Sequence, residues 1–251
     1  MMSFVESRDA ESMETLLSHP LLENKIDVNV TTHTGNNNLI HSMLEVAVFN
    51  NDIKMLKILN KYGADANAPY SEDEQTVLHI LAEYYCIEKA IYKKDSEELK
   101  NRMIKLILLN ANPTLRDNNG KTPLDYLQNP SSSKKVEQLY LEKKGRGYAA
   151  FIDIDTPHSD LIKTLQNVAE FRDNINEICG TDATAFILHY FEQNPKKSIE
   201  NCVKDLSKNL DQLMDEYIYD IRNEISNPKD NPNTSLDTAK VGGKDKSCTI
   251  M

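Results

Sequence analysis

The sequence lacks any apolar run of about 18 residues or more, the length that a membrane-spanning helix needs. Its N-terminus also lacks the basic region and the long apolar region of a secretory signal peptide. We therefore expect a chain that is made in a cytosol, or one that is exported by a route that does not read such a signal.

Basic residues and clustered cysteines are also scarce. The chain has 29 Lys and Arg against 39 Asp and Glu, a formal net charge of −10, and this acidic excess argues against nucleic acid as a partner. The four cysteines, Cys86, Cys179, Cys202 and Cys248, are widely spaced. No Cys-x-x-Cys or Cys/His spacing is present, so the sequence predicts no metal, no cofactor and no disulfide framework.

What the sequence does contain is a repeated turn signal in its first 145 residues. Gly-Ala-Asp-Ala-Asn occupies residues 63–67, Ile-Asp-Val-Asn echoes it at 26–29, and Leu-Asn-Ala-Asn-Pro echoes it at 109–113. A further turn is predicted at Asn119-Gly120, because glycine accepts a positive φ.

A second repeated signal marks helix starts. Thr-Val-Leu-His at 76–79 and Thr-Pro-Leu-Asp at 122–125 have the same pattern, and a weaker copy, Ser-Met-Leu-Glu, stands at 42–45. Apolar residues at helical spacing lie between the turns, for example Ile53, Leu56, Ile58 and Leu59, and Met103, Ile104, Ile107 and Leu108.

These motifs make residues 1–145 similar to the ankyrin-repeat family. The resemblance implies an all-α solenoid of about three and a half repeats, in which stacked helix pairs bury a common core. It also implies that the concave face and the turn tips bind a protein, and that His79 orders a turn. The residues expected at that surface are Asn36, Asn37, Tyr70, Glu72, Asp73, Asn118 and Asn119.

The third repeat is about a dozen residues longer than the family period. The surplus lies near residues 84–99 and includes Tyr84 and Tyr85. Two interpretations are open: a lengthened helix pair, or a protrusion in which the two tyrosines contact the partner.

Residues 148–226 have the pattern of a small helical bundle. Thr156-Pro157 predicts a helix start, and Thr181 or Asp182 caps a short and very apolar helix that ends before Asn194-Pro195. Apolar residues alternate by four and three along a final helix from about 197 to 225. We expect this domain to pack against itself or against the last repeat; the seam could instead pair with a partner's helix.

No catalytic constellation is predicted. Residues 151–156 resemble the first Asp-x-Asp-x-Thr motif of haloacid-dehalogenase phosphatases, but too few strands follow for that fold, and the interpretation as a linker and helix cap is preferred. A Cys179–His189 nucleophile pair rests on composition alone. A small enzyme housed in residues 148–226 is kept as an alternative hypothesis.

Residues 227–251 are predicted to be a flexible tether because they are polar and punctuated by Pro and Gly. They end in Cys248-Thr249-Ile250-Met251, which fits the prenylation box, and Met at the last position selects farnesyl. The lysines nearby are diluted by aspartates. A single farnesyl on such a tether predicts weak membrane binding.

An ankyrin stack followed by this box is similar to the prenylated ankyrin effectors of intracellular bacteria of the Legionella type. The resemblance implies an adaptor that is secreted into a host cell and farnesylated on Cys248 by the host farnesyltransferase. It would then recruit a host protein at the cytosolic face of a membrane. An endogenous eukaryotic prenylated ankyrin protein is the other alternative.

Overall fold

The structure is a computed structural model that describes residues 1–22, 25–34, 39–69, 73–93, 96–146, 153–179 and 183–226. In this part of the chain the architecture is helical, which confirms the all-α class. The helices are α1 Met2–Ser7, α2 Ala10–Leu17, α3 Met43–Phe49, α4 Ile53–Lys61, α5 Val77–Tyr92, α6 Glu97–Leu108, α7 Pro123–Gln128, α8 Lys134–Gly145, α9 Ser159–Cys179, α10 Ala183–Gln193 and α11 Ile199–Ser226. None of these helices is long and apolar enough to cross a membrane.

A β-hairpin interrupts the helices. Strands β1 (Thr31–Thr34) and β2 (Leu39–Ser42) pair antiparallel, with Thr31 opposite Ser42 and Thr34 opposite Leu39. The sequence analysis did not predict this hairpin. Ser42 ends β2 and also caps α3, because its Oγ accepts a hydrogen bond from Glu45 N at 3.0 Å.

Side-chain caps fix where several of the other helices begin. Thr122 and Asp125 form a capping box at α7: Asp125 N donates to Thr122 Oγ1 at 3.0 Å, and Thr122 N donates to Asp125 Oδ2 at 2.9 Å. At α5, Thr76 N donates to His79 Nδ1 at 3.1 Å. The repeated Thr-x-x-polar pattern is therefore a cap in both places.

Successive helices pack in pairs. Helix α1 contacts α2, α3 contacts α4 and α5 contacts α6, while α1–α3, α2–α4 and α5–α7 contacts join neighbouring pairs. Fully buried side chains fill the space between the helices, among them Met13, Met43, Met55, Leu59, Leu81 and Ile107. Each short helix therefore depends on its neighbours to bury its apolar face.

The surplus near residues 84–99, which the sequence assigns to a long third repeat, falls mostly within two helices. Helix α5 has 16 residues and α6 has 12, whereas α3 has 7 and α4 has 9. The chain remains helical from Val77 through Tyr92, so the surplus extends a helix pair.

Helices α9 and α10 pack directly on the first half of the chain. Helix α9 contacts α6, α7 and α10, and α10 contacts α4. Met1–Leu210 forms one compact unit. The predicted bounds of the helical-bundle domain, residues 148–226, stay a prediction, because residues 147–152 lie outside the described residues.

The second unit is Asp211–Met251, of which the structure describes the end of α11. The backbone of α11 departs from helical geometry at Asn209, with φ −126° and ψ 25°. Among the charged residues of α11 after this point, five are acidic and one, Arg222, is basic. Cys248 and the rest of the predicted prenylation box lie outside the described residues.

Arg172 joins α9 to the end of α6. Its Nη1 donates to the carbonyl oxygens of Ile107 at 3.2 Å and Ala111 at 3.0 Å, and the side chain is buried, with Nη2 2.7 Å from Asp173 Oδ1. The last carbonyls of a helix have no partner within that helix. Ile107 O also accepts from Asn110 N at 3.0 Å, so Arg172 adds a second donor to Ile107 and binds the Ala111 carbonyl just beyond the helix.

We predict that Arg172→Met lowers the free energy of unfolding by about 1–3 kcal/mol, because the Ala111 carbonyl loses its donor and the Ile107 carbonyl keeps only the bond from Asn110 N. Asp173→Asn is the control: the Asp173 side chain is 62% exposed, so loss of its ion pair should cost less than about 1 kcal/mol. Urea denaturation of both variants measures the difference. Equal effects would show that the carbonyl contacts contribute little.

Candidate functional site

The turns between helix pairs are linked by asparagine side chains. Asn29 Nδ2 donates to Gly63 O at 3.1 Å, and Asp65 N donates to Asn29 Oδ1 at 2.7 Å. One side chain thus satisfies a donor and an acceptor of the next turn's backbone. This reciprocal bond fixes the position of one turn relative to the following one.

Asn67 repeats this arrangement one turn later. Its Nδ2 donates to Asn110 O at 2.9 Å, and Asn112 N donates to its Oδ1 at 2.7 Å. Asn29 and Asn67 are the last residues of the turn signals identified in the sequence. We call these two sets of bonds the asparagine ladder.

The turn at residues 117–121 is held by the buried carboxylate of Asp117. Its Oδ1 accepts from the backbone N of Asn119 and of Lys121, both at 2.9 Å, and its Oδ2 accepts from Tyr126 Oη at 2.6 Å. Gly120 has φ 70°, which explains the Asn-Gly dipeptide. Burial disfavours the Asp117 anion, but the hydrogen bonds outweigh it and lower the pKa of Asp117.

His79 connects this turn to α5. Its Nδ1 accepts from Thr76 N, and its Nε2 lies 3.1 Å from Lys121 O. A neutral imidazole that carries its proton on Nε2 satisfies both contacts. Burial lowers the pKa of His79, against a smaller opposing effect of the Lys121 carbonyl. The side chain orders the turn, the role that the family resemblance implied.

Three of the residues predicted at the binding surface come together here. Asn118 N donates to Asp73 O at 2.9 Å, and Asp73, Asn118 and Asn119 are all exposed. Lys134 Nζ, at the start of α8, lies 3.4 Å from Asn119 Oδ1. Four other predicted residues, Asn36, Asn37, Tyr70 and Glu72, lie outside the described residues.

The two tyrosines of α5 have different environments. Tyr84 is half-buried, and Lys135 Nζ lies 4.3 Å from the centroid of its ring. Tyr85 is only 6% exposed and packs edge-to-face on His158 at 5.2 Å. Tyr85 therefore belongs to the core, which corrects its predicted place at the binding surface. Consecutive helical residues point in different directions, so the pair could not share one face.

A cavity of about 240 Å³ indents the surface beside Asp73 and Asn119. We call it the tip cleft. Lys121, Lys134 and Lys135 also line it, and the buried residues Glu83 and Gln75 contribute to its lining. The cleft thus combines exposed cations with polar groups that are partly withdrawn from solvent.

Glu83 is the buried acid of the tip cleft. Its Oε1 accepts from Ser133 Oγ at 2.5 Å, and burial raises its pKa, opposed by this bond and by Lys135. Ser132 Oγ, another lining atom, is buried without a hydrogen-bond partner among the described residues. Sequence reasoning missed these groups because Glu83 lies within an apolar helix and Ser132 within a serine run; the adjacent Lys134-Lys135 pair was the available signal.

The described groups that were candidates for chemistry have structural roles. Asp153 Oδ1 accepts from Asp155 N at 3.0 Å and from Thr156 N at 3.1 Å, so it shapes a turn. Cys86 and Cys202 are buried free thiols, and burial raises the pKa of Cys86 to about 12. Within the described residues, no group of three or more His, Cys, Asp or Glu could hold a metal ion.

Comparison with other proteins gives no family assignment: no protein-family model and no curated protein matches this chain.

We predict that the stability contributed by neutral His79 is present above pH 6.5, the ordinary histidine pKa, and is lost as pH falls through the lower folded-state pKa. His79→Gln removes the titrating group. The difference in free energy of unfolding between wild type and H79Q should therefore shrink from pH 8 to pH 5.5. If the free energies of unfolding of H79Q and of wild type differ by the same amount at every pH, the prediction is contradicted.

Proposed function

We propose that this protein is a non-enzymatic adaptor that binds another protein through the tip cleft and the exposed residues beside it. The observation that carries the proposal is the joining of Asp73, Asn118 and Asn119 into one exposed surface that the Asp117 carboxylate holds rigid. A surface that is already ordered loses little conformational freedom when a partner binds.

We further propose that residues 1–145 are an ankyrin-type solenoid. The asparagine ladder supports this proposal, because the same pair of bonds from an asparagine side chain to the backbone recurs between successive turns. The capped helix starts at Thr76 and Thr122 recur in the same way. Such regular coupling between neighbours is typical of repeat proteins.

The charge of the tip cleft favours an acidic partner segment. Lys121, Lys134 and Lys135 supply three cations against the exposed carboxylate of Asp73 and the buried Glu83, whose raised pKa favours its neutral form. In a chain with a net charge of −10, this local excess of positive charge would steer a carboxylate-bearing segment towards the cleft.

Proximity labelling in animal cells tests the surface. We expect the double variant Lys134→Glu/Lys135→Glu to lose labelling of its specific partner at least tenfold (about 1.4 kcal/mol), because it reverses the charge of the cleft rim. Lys143→Glu/Lys144→Glu makes the same charge change at the other end of α8 and serves as the matched control. Identical labelling by all forms would contradict the proposal.

We also propose that a farnesyl group on Cys248 holds the adaptor at the cytosolic face of a host membrane after secretion. Thr249, Ile250 and Met251 complete the recognition sequence for the host farnesyltransferase. A single lipid gives marginal and reversible binding. The membrane-bound fraction is therefore expected to depend also on what the folded part of the protein binds.

Cys248→Ser should move the protein from host membranes into the cytosol, because it removes the only atom that the transferase can alkylate in the box. Met251→Leu is the matched control, since it keeps the cysteine and selects geranylgeranyl instead. Cell fractionation measures the membrane-bound share of each variant, and mass spectrometry of the C-terminal peptide identifies the attached lipid. Unchanged partition of C248S, or an unmodified wild-type peptide, would refute lipidation.

A further inference from the structure

A second and larger cavity, of about 530 Å³, lies away from the tip cleft. Its walls come from the α3–α4 turn, from one face of α6 and from the α10–α11 connection, all within the compact unit Met1–Leu210. This volume is in the range of small-molecule sites, about 300–1,000 Å³. We call it the α6 cleft.

Cations dominate the charged groups of the α6 cleft. Arg102, Lys105 and Lys197 line it, and Glu98 is the carboxylate among its lining residues. The chain as a whole has an excess of acidic residues, so three cations around one cavity are a local departure from its overall charge. Such a concentration favours an anionic ligand.

Arg102 is fixed in place before any ligand arrives. Its Nη2 donates to Phe49 O at 3.2 Å and to Glu98 Oε1 at 2.5 Å, and its guanidinium carbon lies 4.1 Å from the centroid of the Phe49 ring. These contacts use one nitrogen and one face of a group that has five N–H donors. Donors therefore remain for a ligand in the cleft.

Lys105 is the cation that lacks a counterion. Its side chain is half-buried, and its Nζ has no hydrogen-bond or ion-pair partner among the described residues. Burial lowers the pKa of Lys105, and the neighbouring Arg102 lowers it further, against an opposing effect of Cys202. A charged amine without a partner is costly to bury. An anion in the cleft would remove that cost.

The rest of the lining suits a phosphate. Asn51, Asn101 and Asn194 bring amide groups to the cavity, and Ser198 lies directly before the first residue of α11. The start of a long helix carries free N–H groups and a positive dipole end. Lys197 is shared, because its Nζ also contacts Asp205 Oδ2 at 2.6 Å.

We propose that the α6 cleft binds a phosphomonoester on a small polyol, either a soluble sugar or inositol phosphate or the headgroup of a phosphoinositide. Lys105 and Arg102 contact the phosphate, and the amides around them contact the polyol. Lys105 also stands in the last turn of α6, where a cation interacts with the helix dipole. The helix dipole could explain the position of Lys105 alone, but it does not explain why Arg102 and several amide side chains line the same cavity.

Calorimetry on the full chain, purified without its lipid, tests the proposal with inositol 1,4,5-trisphosphate as the probe. We expect saturable one-to-one binding that Lys105→Met weakens at least tenfold. Lys54→Met removes one charge from an exposed position on α4 and should leave binding unchanged. Asn101→Asp is a second variant, nearly isosteric with wild type, that places a carboxylate in the cleft and should also weaken binding at least tenfold.

Three results would overturn the proposal: no saturable binding, equal weakening by K105M and K54M, or equal binding of citrate, which would indicate a general carboxylate site. Vesicles distinguish the two sources of the phosphate. If the ligand is the headgroup, the protein binds vesicles that contain phosphatidylinositol bisphosphate but not vesicles of phosphatidylserine. Free inositol trisphosphate should then displace it from the former. Binding of the free trisphosphate without vesicle binding indicates a soluble phosphate.

Discussion

The structure depends on satisfying the backbone groups at the ends of short helices. Helices of six to nine residues, such as α1, α3, α4 and α7, leave about half of their N–H and C=O groups without partners inside the helix. Side chains cap the starts of three of them: Ser42 at α3, Asp52 at α4 and Thr122 at α7. Asn29, Asn67 and Asp117 bind the backbone of the turns between helices in the same way. Packing of the helix faces follows once these ends are fixed.

The two clefts use this framework in opposite ways. At the tip cleft, the buried carboxyl group of Glu83 already has a partner within the protein, the hydroxyl of Ser133. A partner protein would bind there through the shape of an ordered surface and through the charges at its rim. In the α6 cleft the amine of Lys105 has no ion-pair partner among the described residues, which is the basis of the proposed anion site. The first arrangement suits recognition of a protein, the second recognition of an ion.

The sequence contained the local part of this structure. Caps at Thr76 and Thr122, the positive φ of Gly120 and the all-α class follow from residues close together in the chain. The packing of α9 on α6 does not, since it depends on Arg172 meeting carbonyls more than 60 residues away. Lys105 and Lys197 likewise meet only through tertiary packing, and the burial of Tyr85 depends on which face of α5 the core covers.

Because of the asparagine ladder, the spacing between successive turns does not depend on the length of the helices between them. Asn29 reaches Asp65 across 36 residues, and Asn67 reaches Asn112 across 45, yet both make the same pair of bonds at nearly the same distances. Extra residues are absorbed in α5 and α6, while the turn edge keeps its geometry. Insertions and deletions can therefore reshape one edge of the molecule during evolution and leave the opposite edge in register.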